Sequence, residues 1–337
     1  MSTENASVAP GFESASGDRG RRFLKGLMST GTIFVILLIL WIWIAILNPH
    51  FLEPGPFLAY LKRAAPLVIL AAGSYFVLIS GNFDLSVGSL VTVTVVVAAR
   101  LIDGDPSKTW PVIALLFGIG IVVGFTNGFV STVLRVPSFI TTLGMLLILN
   151  GAVFLWTGGA PRGALSDNFR SIGRQGIEGI PWIEQLPWSV LLLIAVGVFA
   201  VLLMRSDFGR QLIATGDNDR TAHLSGVRVN RVRILAFVLS GTGAVLAGIM
   251  LGGFGGVSAQ VGKGLEFDAI TACVLGGVVL GGGRGSVVAA MAGALTLEAL
   301  FTWLNLQGIS GALEDTIQGV IIIAAVSFAG YRLRGAR

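Results

Sequence analysis

Asp84 stands in SGNFDLSVGS, residues 80–89, between two apolar runs. A carboxylate at the centre of a membrane helix costs roughly 2.5–3.5 kcal/mol on insertion scales, so it needs a partner or a task. The flanking Asn82, Ser86 and Gly88 are types that break a helix and bond to its freed backbone groups. If span three starts at Ser86, Asp84 lies at its N-terminus, where an aspartate caps free N–H groups and meets the positive dipole end. Two roles therefore stay open for Asp84: structural cap of a broken helix, or direct ligand on a solute pathway. Asp268 in LEFDAI invites the same pair, with more weight on the cap. Asn127 and Asn150 fall inside apolar runs and suit bonds between helices. Glu298, in LTLEALFTW, faces either a lumen or an interface.

A second polar stretch is longer. Residues 214–233 read ATGDNDRTAHLSGVRVNRVR in a chain that is 54% hydrophobic and 12% charged. Asp217, Asn218 and Asp219 are N-cap candidates for a short helix from Arg220 to Leu224. Ser225-Gly226 then stops it, because Gly suits the left-handed conformation at a helix end. The short helix carries Ala222 and Leu224, small enough for a groove on a partner. Its arginines also suit an anionic lipid surface, although few apolar residues are available to immerse.

Some chemistry is missing. A phosphate loop needs GxxxxGK followed by Ser or Thr. The nearest stretch, VSAQVGKG, has Val257 at the first position and Gly264 at the last. GGVVLGGGRGS places Ser286 where GxGxxG needs its third glycine. HExxH, GxSxG and Cys/His clusters are absent from the sequence, so an enzyme is disfavoured. The single cysteine, Cys273, excludes a disulfide framework and a cysteine metal site. No metal and no cofactor are expected. The net charge of +5 calls for no nucleic acid, because basic residues beside membrane helices set orientation.

The elements that must hold these residues are membrane helices. Mean hydropathy is +0.83 over 337 residues, and the apolar residues come in blocks long enough to cross roughly 30 Å of hydrocarbon. The fold class expected is all-α and polytopic, with about ten spans: 30–47, 64–81, 87–101, 111–134, 138–157, 187–204, 233–252, 266–281, 286–304 and 312–330. Residues 1–25 read as a disordered cytoplasmic tail, 26–332 as the transmembrane domain with a coupling segment near 205–232, and 333–337 as a cytoplasmic C-terminal tail. The basic flank at Arg19–Lys25 precedes an uncleaved first span rather than a signal peptide. Arg and Lys concentrate at 19–25, 205–233 and 332–337, which puts both termini and the coupling segment inside. Residues 158–187, rich in Pro and Gly, then lie outside, with Trp182 and Trp188 near the interface. Ala244, Gly248, Gly252 and Gly256, like Gly120, Gly124 and Gly128, recur every fourth residue as packing seams. NFDLSVGSL and EFDAITACV open spans three and eight, hinting at two halves of inverted topology.

TGDNDRTAHLSGVRVNRVR, SGTGAVLAGIM, GLEFDAITACVLGGVVLGGGRGS and the earlier APLVILAAGSYFVLISGNFDLSVGSL together resemble the membrane permeases of ribose-type ABC importers, over about residues 48–330. The resemblance implies about ten spans in two inverted halves, a likely homodimeric pair of permeases in membrane lipid, a separate cytoplasmic ATPase, and an extracytoplasmic protein that delivers a sugar or polyol. It implies that the segment between spans six and seven is a coupling helix, here Gly216, Asn218, Ala222, Leu224, Ser225, Gly226 and Val227. A pathway or broken-helix role falls to Asn82, Asp84, Ser86, Gly88, Asn127 and Asp268. Gly81-Asn82-Phe83 departs from the Gly-Gly-Ile usual before the aspartate, Arg220 and Thr221 depart from small or acidic residues, and Gly281–Gly283 with Ser286 depart from the common glycine spacing. A permease for a branched-chain amino acid, nucleoside or signalling molecule is the near alternative. A proton-coupled transporter working through Asp84 or Glu298 is the distant one.

Overall fold

The computed structural model describes residues 15–309 and isolated positions between 313 and 323. The expected span 312–330, the tail before residue 15 and the tail after 332 fall wholly or largely outside that range. Helices α1 (Ala15–Leu47), α2 (Pro54–Ile79), α3 (Val87–Ile102), α4 (Thr109–Thr132) and α5 (Ser138–Thr157) come first. Then follow α6 (Asp167–Arg174), strands β1 (Gly176–Ile180) and β2 (Ile183–Pro187), and α7 (Trp188–Arg205). The chain continues through α8 (Asp207–Asp217), α9 (Asp219–Leu224), α10 (Val229–Gly255), α11 (Leu265–Leu275) and α12 (Val287–Leu306). Among the described residues six helices are long and apolar enough to cross a membrane. Each of the first nine expected spans has a helix within it.

Burial sorts the helices. The most apolar window of α2 is 89% buried, whereas that of α7 is 17% buried. α2 and α10 form the centre, and α5 and α7 turn side chains such as Phe154, Leu155 and Leu202 outward. An outer surface this apolar suits hydrocarbon rather than water.

The seam of α4 does what its spacing predicts. A methyl on Gly124 would sit 2.7 Å from Val238 Cα, and one on Gly128 2.8 Å from Ile234 Cα. Gly241 in turn abuts the Gly120 carbonyl. Small residues thus let α4 and α10 meet backbone to backbone. On α10, Gly248 abuts Thr94 and Gly252 abuts Phe169, but Gly256 lies past the helix end with nothing against it and takes no part. Cys273 is buried, with its thiol donating to Ala71 O at 3.3 Å.

Three local differences from the sequence expectation have physical reasons. Helix α1 starts at Ala15, so residues 15–25 are helical rather than tail, in keeping with the helix preference of Arg, Lys and Leu there. Residues 158–187 hold α6 and a β-hairpin rather than an open loop. Ser166 caps α6, its hydroxyl accepting from Phe169 N at 3.3 Å, and the same hydroxyl bonds Thr109 on α4 at 2.7 Å. The hairpin pairs Ile177 with Leu186 and Ile180 with Ile183 around Pro181-Trp182. Finally, α11 ends at Leu275 rather than near 281, because residues 276–286 are mostly glycine and run as an irregular segment to α12.

Candidate functional site

The break between α2 and α3 is built first by glycine. Gly81 has φ 80°, turning the chain after Ser80, and Gly81 N donates back to Leu78 O at 3.0 Å. Asn82 is half-buried and locks the turn, its amide donating to Ser80 O at 3.2 Å and Ser80 Oγ at 3.0 Å. The start of α5 satisfies the next residue: Phe83 N donates to Ser138 Oγ at 3.1 Å, and Thr142 Oγ1 donates to Phe83 O at 3.4 Å. Irregular backbone inside a membrane domain is tolerable only with such partners.

Asp84 is buried and fully engaged. Its Oδ1 accepts from Ser86 N at 3.0 Å and Ser86 Oγ at 2.6 Å, and its Oδ2 accepts from Ser240 Oγ on α10 at 2.9 Å. Asn127 on α4 donates to Ser86 Oγ at 2.9 Å. One carboxylate therefore ties the start of α3 to α10, and through Ser86 to α4. Ser240 is eleven residues into α10, roughly 16 Å along the axis, about half of a 30 Å core. Asn127 Oδ1 is buried with no hydrogen-bond partner beside this knot. Of the two roles open for Asp84, these contacts are those of a cap and cross-link.

Gly88, one turn into α3, faces the other break. The chain leaves α10 at Gly255 and by Gly262 has returned to the level of Gly88: Gly262 N donates to Thr92 Oγ1 at 3.1 Å, and a Cβ on Gly88 would lie 2.5 Å from Gly262 O. The Glu266 carboxylate also abuts Gly88. The two Phe-Asp segments, 184 residues apart at Asp84 and Asp268 (268 − 84), thus open helices that meet. They are not equivalent in detail. Gly264, not Asp268, caps α11, and Asp268 lies inside its first turn with its N–H donating to Gly264 O at 3.1 Å. The buried acid there is Glu266, which the sequence reading passed over. Its signal was present: a second carboxylate two residues before Asp268 in an apolar setting.

The polar segment forms a separate unit at the end of the bundle where α2 finishes. α8, an amphipathic helix not anticipated from the sequence, leads into it. Asn218 caps α9, its Oδ1 accepting from Thr221 N at 3.0 Å. α9 runs Asp219–Leu224, with Ala222 buried and Leu224 82% exposed at its end. Ser225 closes the helix through its N–H to Thr221 O at 3.0 Å. Gly226 follows with φ 85° and open space around it, and Val227 N donates to Ala222 O at 3.0 Å. Gly216 anchors the unit. Its Cα faces the Ile79 carbonyl and Gly283 N too closely for a side chain, and Gly283 N donates to Ile79 O at 2.9 Å. The end of α2, the end of α8 and the 281–283 glycines thus meet main chain to main chain, five residues before Asp84 (84 − 79). Asn150 and Glu298 lie outside both clusters; Glu298 lines a cavity of about 700 Å³ with Arg63 and Asn305 between α2 and α12.

Over residues 57–326 the chain matches the family model described as "Branched-chain amino acid transport system / permease component". It is 35% identical over 320 residues to the ribose import permease protein RbsC of Bacillus subtilis strain 168, covering 93% of this chain and 97% of the relative. It is also 35% identical over 304 residues to the autoinducer 2 import system permease protein LsrC of Escherichia coli O157:H7, covering 90% and 87%. The LsrC protein of Yersinia enterocolitica serotype O:8 is 35% identical over 306 residues, covering 90% and 83%. No solved structure matches the chain significantly.

Proposed function

We propose a function from one premise: this chain belongs to the family of branched-chain amino acid transport system permease components, which its residues 57–326 match. It is a multi-pass membrane permease of the ABC importer class, a transport component rather than an enzyme, whose ATPase and substrate-binding protein are separate chains. Beyond that, its cargo is a monosaccharide or related polyol. The relative named for ribose import supports this, at 35% identity along nearly the whole of both chains. The relatives named for autoinducer 2 import keep a signalling molecule as the second reading.

The observation that carries the mechanism is the seat of Gly216 on Ile79. The α8–α9 unit is the coupling segment. It presents Leu224 and the Ser225-Gly226 turn to the ATPase and rests on the end of α2, next to the break at Asp84. A push on α9 reaches α2 and the 281–283 loop through rigid main-chain contacts, and from there the two broken helices. Alternating access at such breaks is a transporter device. The pathway residues proposed are Asn82, Asp84, Ser86, Gly88, Asn127 and Asp268, with Glu266 added. Asp84, Ser86 and Asn127 hold the break in shape. Both termini and α9 face the cytoplasm, as the arginine distribution supports. Two copies of the chain pair in the membrane, surrounded by lipid.

The cargo is tested through the partner substrate-binding protein. Its melting temperature is measured against a panel of pentoses, hexoses, polyols and branched-chain amino acids. Stabilisation by a sugar or polyol is expected, by RT ln(1 + [L]/Kd) in free energy. Stabilisation by an amino acid alone refutes the sugar assignment.

A further inference from the structure

A cavity of about 760 Å³ lies between the α4–α5 turn, α9 and the start of α10. Its charged lining is unbalanced: Arg135, Arg220, Arg228, Arg231 and Arg233 against Asp219. Asp219 is engaged by Arg233, at 3.6 Å. Even so, Arg233 Nε is buried with no hydrogen-bond partner. Among the described residues no ion pair uses the other four arginines. Arg135 adopts φ 57° in the turn between α4 and α5, uncommon for a residue other than glycine. Passage of a neutral solute needs none of these charges, and the coupling residues proposed above do not include them.

Five guanidiniums around one cavity fit a phosphate group, which accepts paired N–H donors in a plane. The neighbours of the lining residues decide where the phosphate comes from. Leu134 precedes Arg135 and is exposed, Phe139 and Ile140 follow the lining residue Ser138 and are exposed, and Leu235 lies two residues past Arg233 and is exposed. In a chain of this class, apolar side chains left open at the bundle edge face acyl chains. The charged cavity and the lipid-facing surface are therefore continuous along the chain.

We infer that this cavity is a binding site for the phosphate headgroup of an anionic phospholipid, held by Arg135, Arg220, Arg228 and Arg231 while its acyl chains lie along Leu134, Phe139, Ile140 and Leu235. With α9 facing the cytoplasm, the lipid belongs to the inner leaflet. It would sit directly beside the coupling segment, so that bilayer charge bears on coupling.

The test uses the full chain purified in mild detergent, and reads retained lipid by native mass spectrometry, independently of transport. Phosphatidylglycerol and phosphatidylcholine are added in parallel. The chain is expected to retain phosphatidylglycerol preferentially. The variant Arg228→Gln/Arg231→Gln is expected to lose that preference by about tenfold or more, and Arg135→Gln/Arg220→Gln, on the opposite wall, to do the same. Gel filtration identifies any variant that fails to fold, and the second pair then carries the test. Equal retention of phosphatidylglycerol by folded wild type and both variants overturns the proposal. So does equally tight binding of soluble glycerol phosphate, which marks a free-anion site. Loss of ATPase co-purification with phosphatidylglycerol retention unchanged overturns it in favour of an acidic partner surface.

Discussion

Gly216 at the end of α8 packs on the main chain of Ile79 at the end of α2, and the Gly283 N–H donates to that same Ile79 carbonyl at 2.9 Å. Three segments far apart in sequence thus share one backbone contact. Replacing Gly216 with Ala drives a methyl into the Ile79 carbonyl and the Gly283 amide. Overpacking of this kind costs about 1–3 kcal/mol. The variant should show a lower melting temperature and, in a reconstituted complex, ATP hydrolysis that no longer drives uptake in proportion. Wild-type stability and wild-type coupling together would show that the contact transmits nothing.

Gly226 asks a different question, because space around it is open and only its backbone is special. At φ 85° a β-branched residue is disfavoured by about 1–2 kcal/mol. Gly226→Val should distort the turn after α9 and reduce co-purification of the ATPase, with the permease still inserted in the membrane. Gly226→Asn, which tolerates the left-handed region, should bind the ATPase far better than the valine variant. Equal binding by both variants would place the docking surface elsewhere.

Asp84 distinguishes cap from ligand. Its carboxylate accepts three hydrogen bonds from Ser86 and Ser240, and each broken partner to a charged group is worth about 1.5–3 kcal/mol. Asp84→Asn should lower thermal stability and the yield of folded protein, and Ser240→Ala should lower it less. In the double variant the two effects should fall short of their sum by 0.5 kcal/mol or more, as residues in contact do. A folded, fully stable Asp84→Asn protein that binds its partners but does not transport would instead make Asp84 a pathway ligand.

Both polar clusters were legible in the sequence, to different depths. The cap at Asn218, the short helix after it and the stop at Gly226 follow from local rules that need no tertiary contact. The seam Gly120-Gly124-Gly128 was equally readable, because four-residue spacing puts small residues on one face. What α4 packs against was not readable, and neither was the failure of Gly256 to join the α10 seam, which depends on where the helix ends. Asp84 was visible as an anomaly, yet its partner Ser240 lies 156 residues away. Glu266 was hidden by the more familiar Phe-Asp pair beside it. The hairpin at 176–187 was missed because its strands are short and polar, with Pro181 and Trp182 at the turn.

At the opposite end of the bundle, His50 Nδ1 lies 2.6 Å from Glu53 Oε1 in the turn before α2, both exposed. The Glu53 hydrogen bond and charge raise the His50 pKa above its ordinary value. A group raised in the folded state stabilises it fully below the unfolded imidazole pKa of about 6.5, and that contribution fades as pH rises through the folded value. The chain holds two histidines, so NMR of selectively labelled imidazole resolves them. His50 should titrate higher in the wild type than in Glu53→Gln. No difference between the two would show that the pair does not form in solution.

The most direct measurement is uptake by the purified chain in liposomes, with and without its ATPase and substrate-binding protein. Alone, it should accumulate no labelled sugar against a gradient under any imposed pH difference. With both partners and internal ATP, accumulation should appear, and it should vanish when Gly216 or Gly226 is altered as above. Uphill movement by the chain alone would contradict the claim that this permease depends on another polypeptide for its energy.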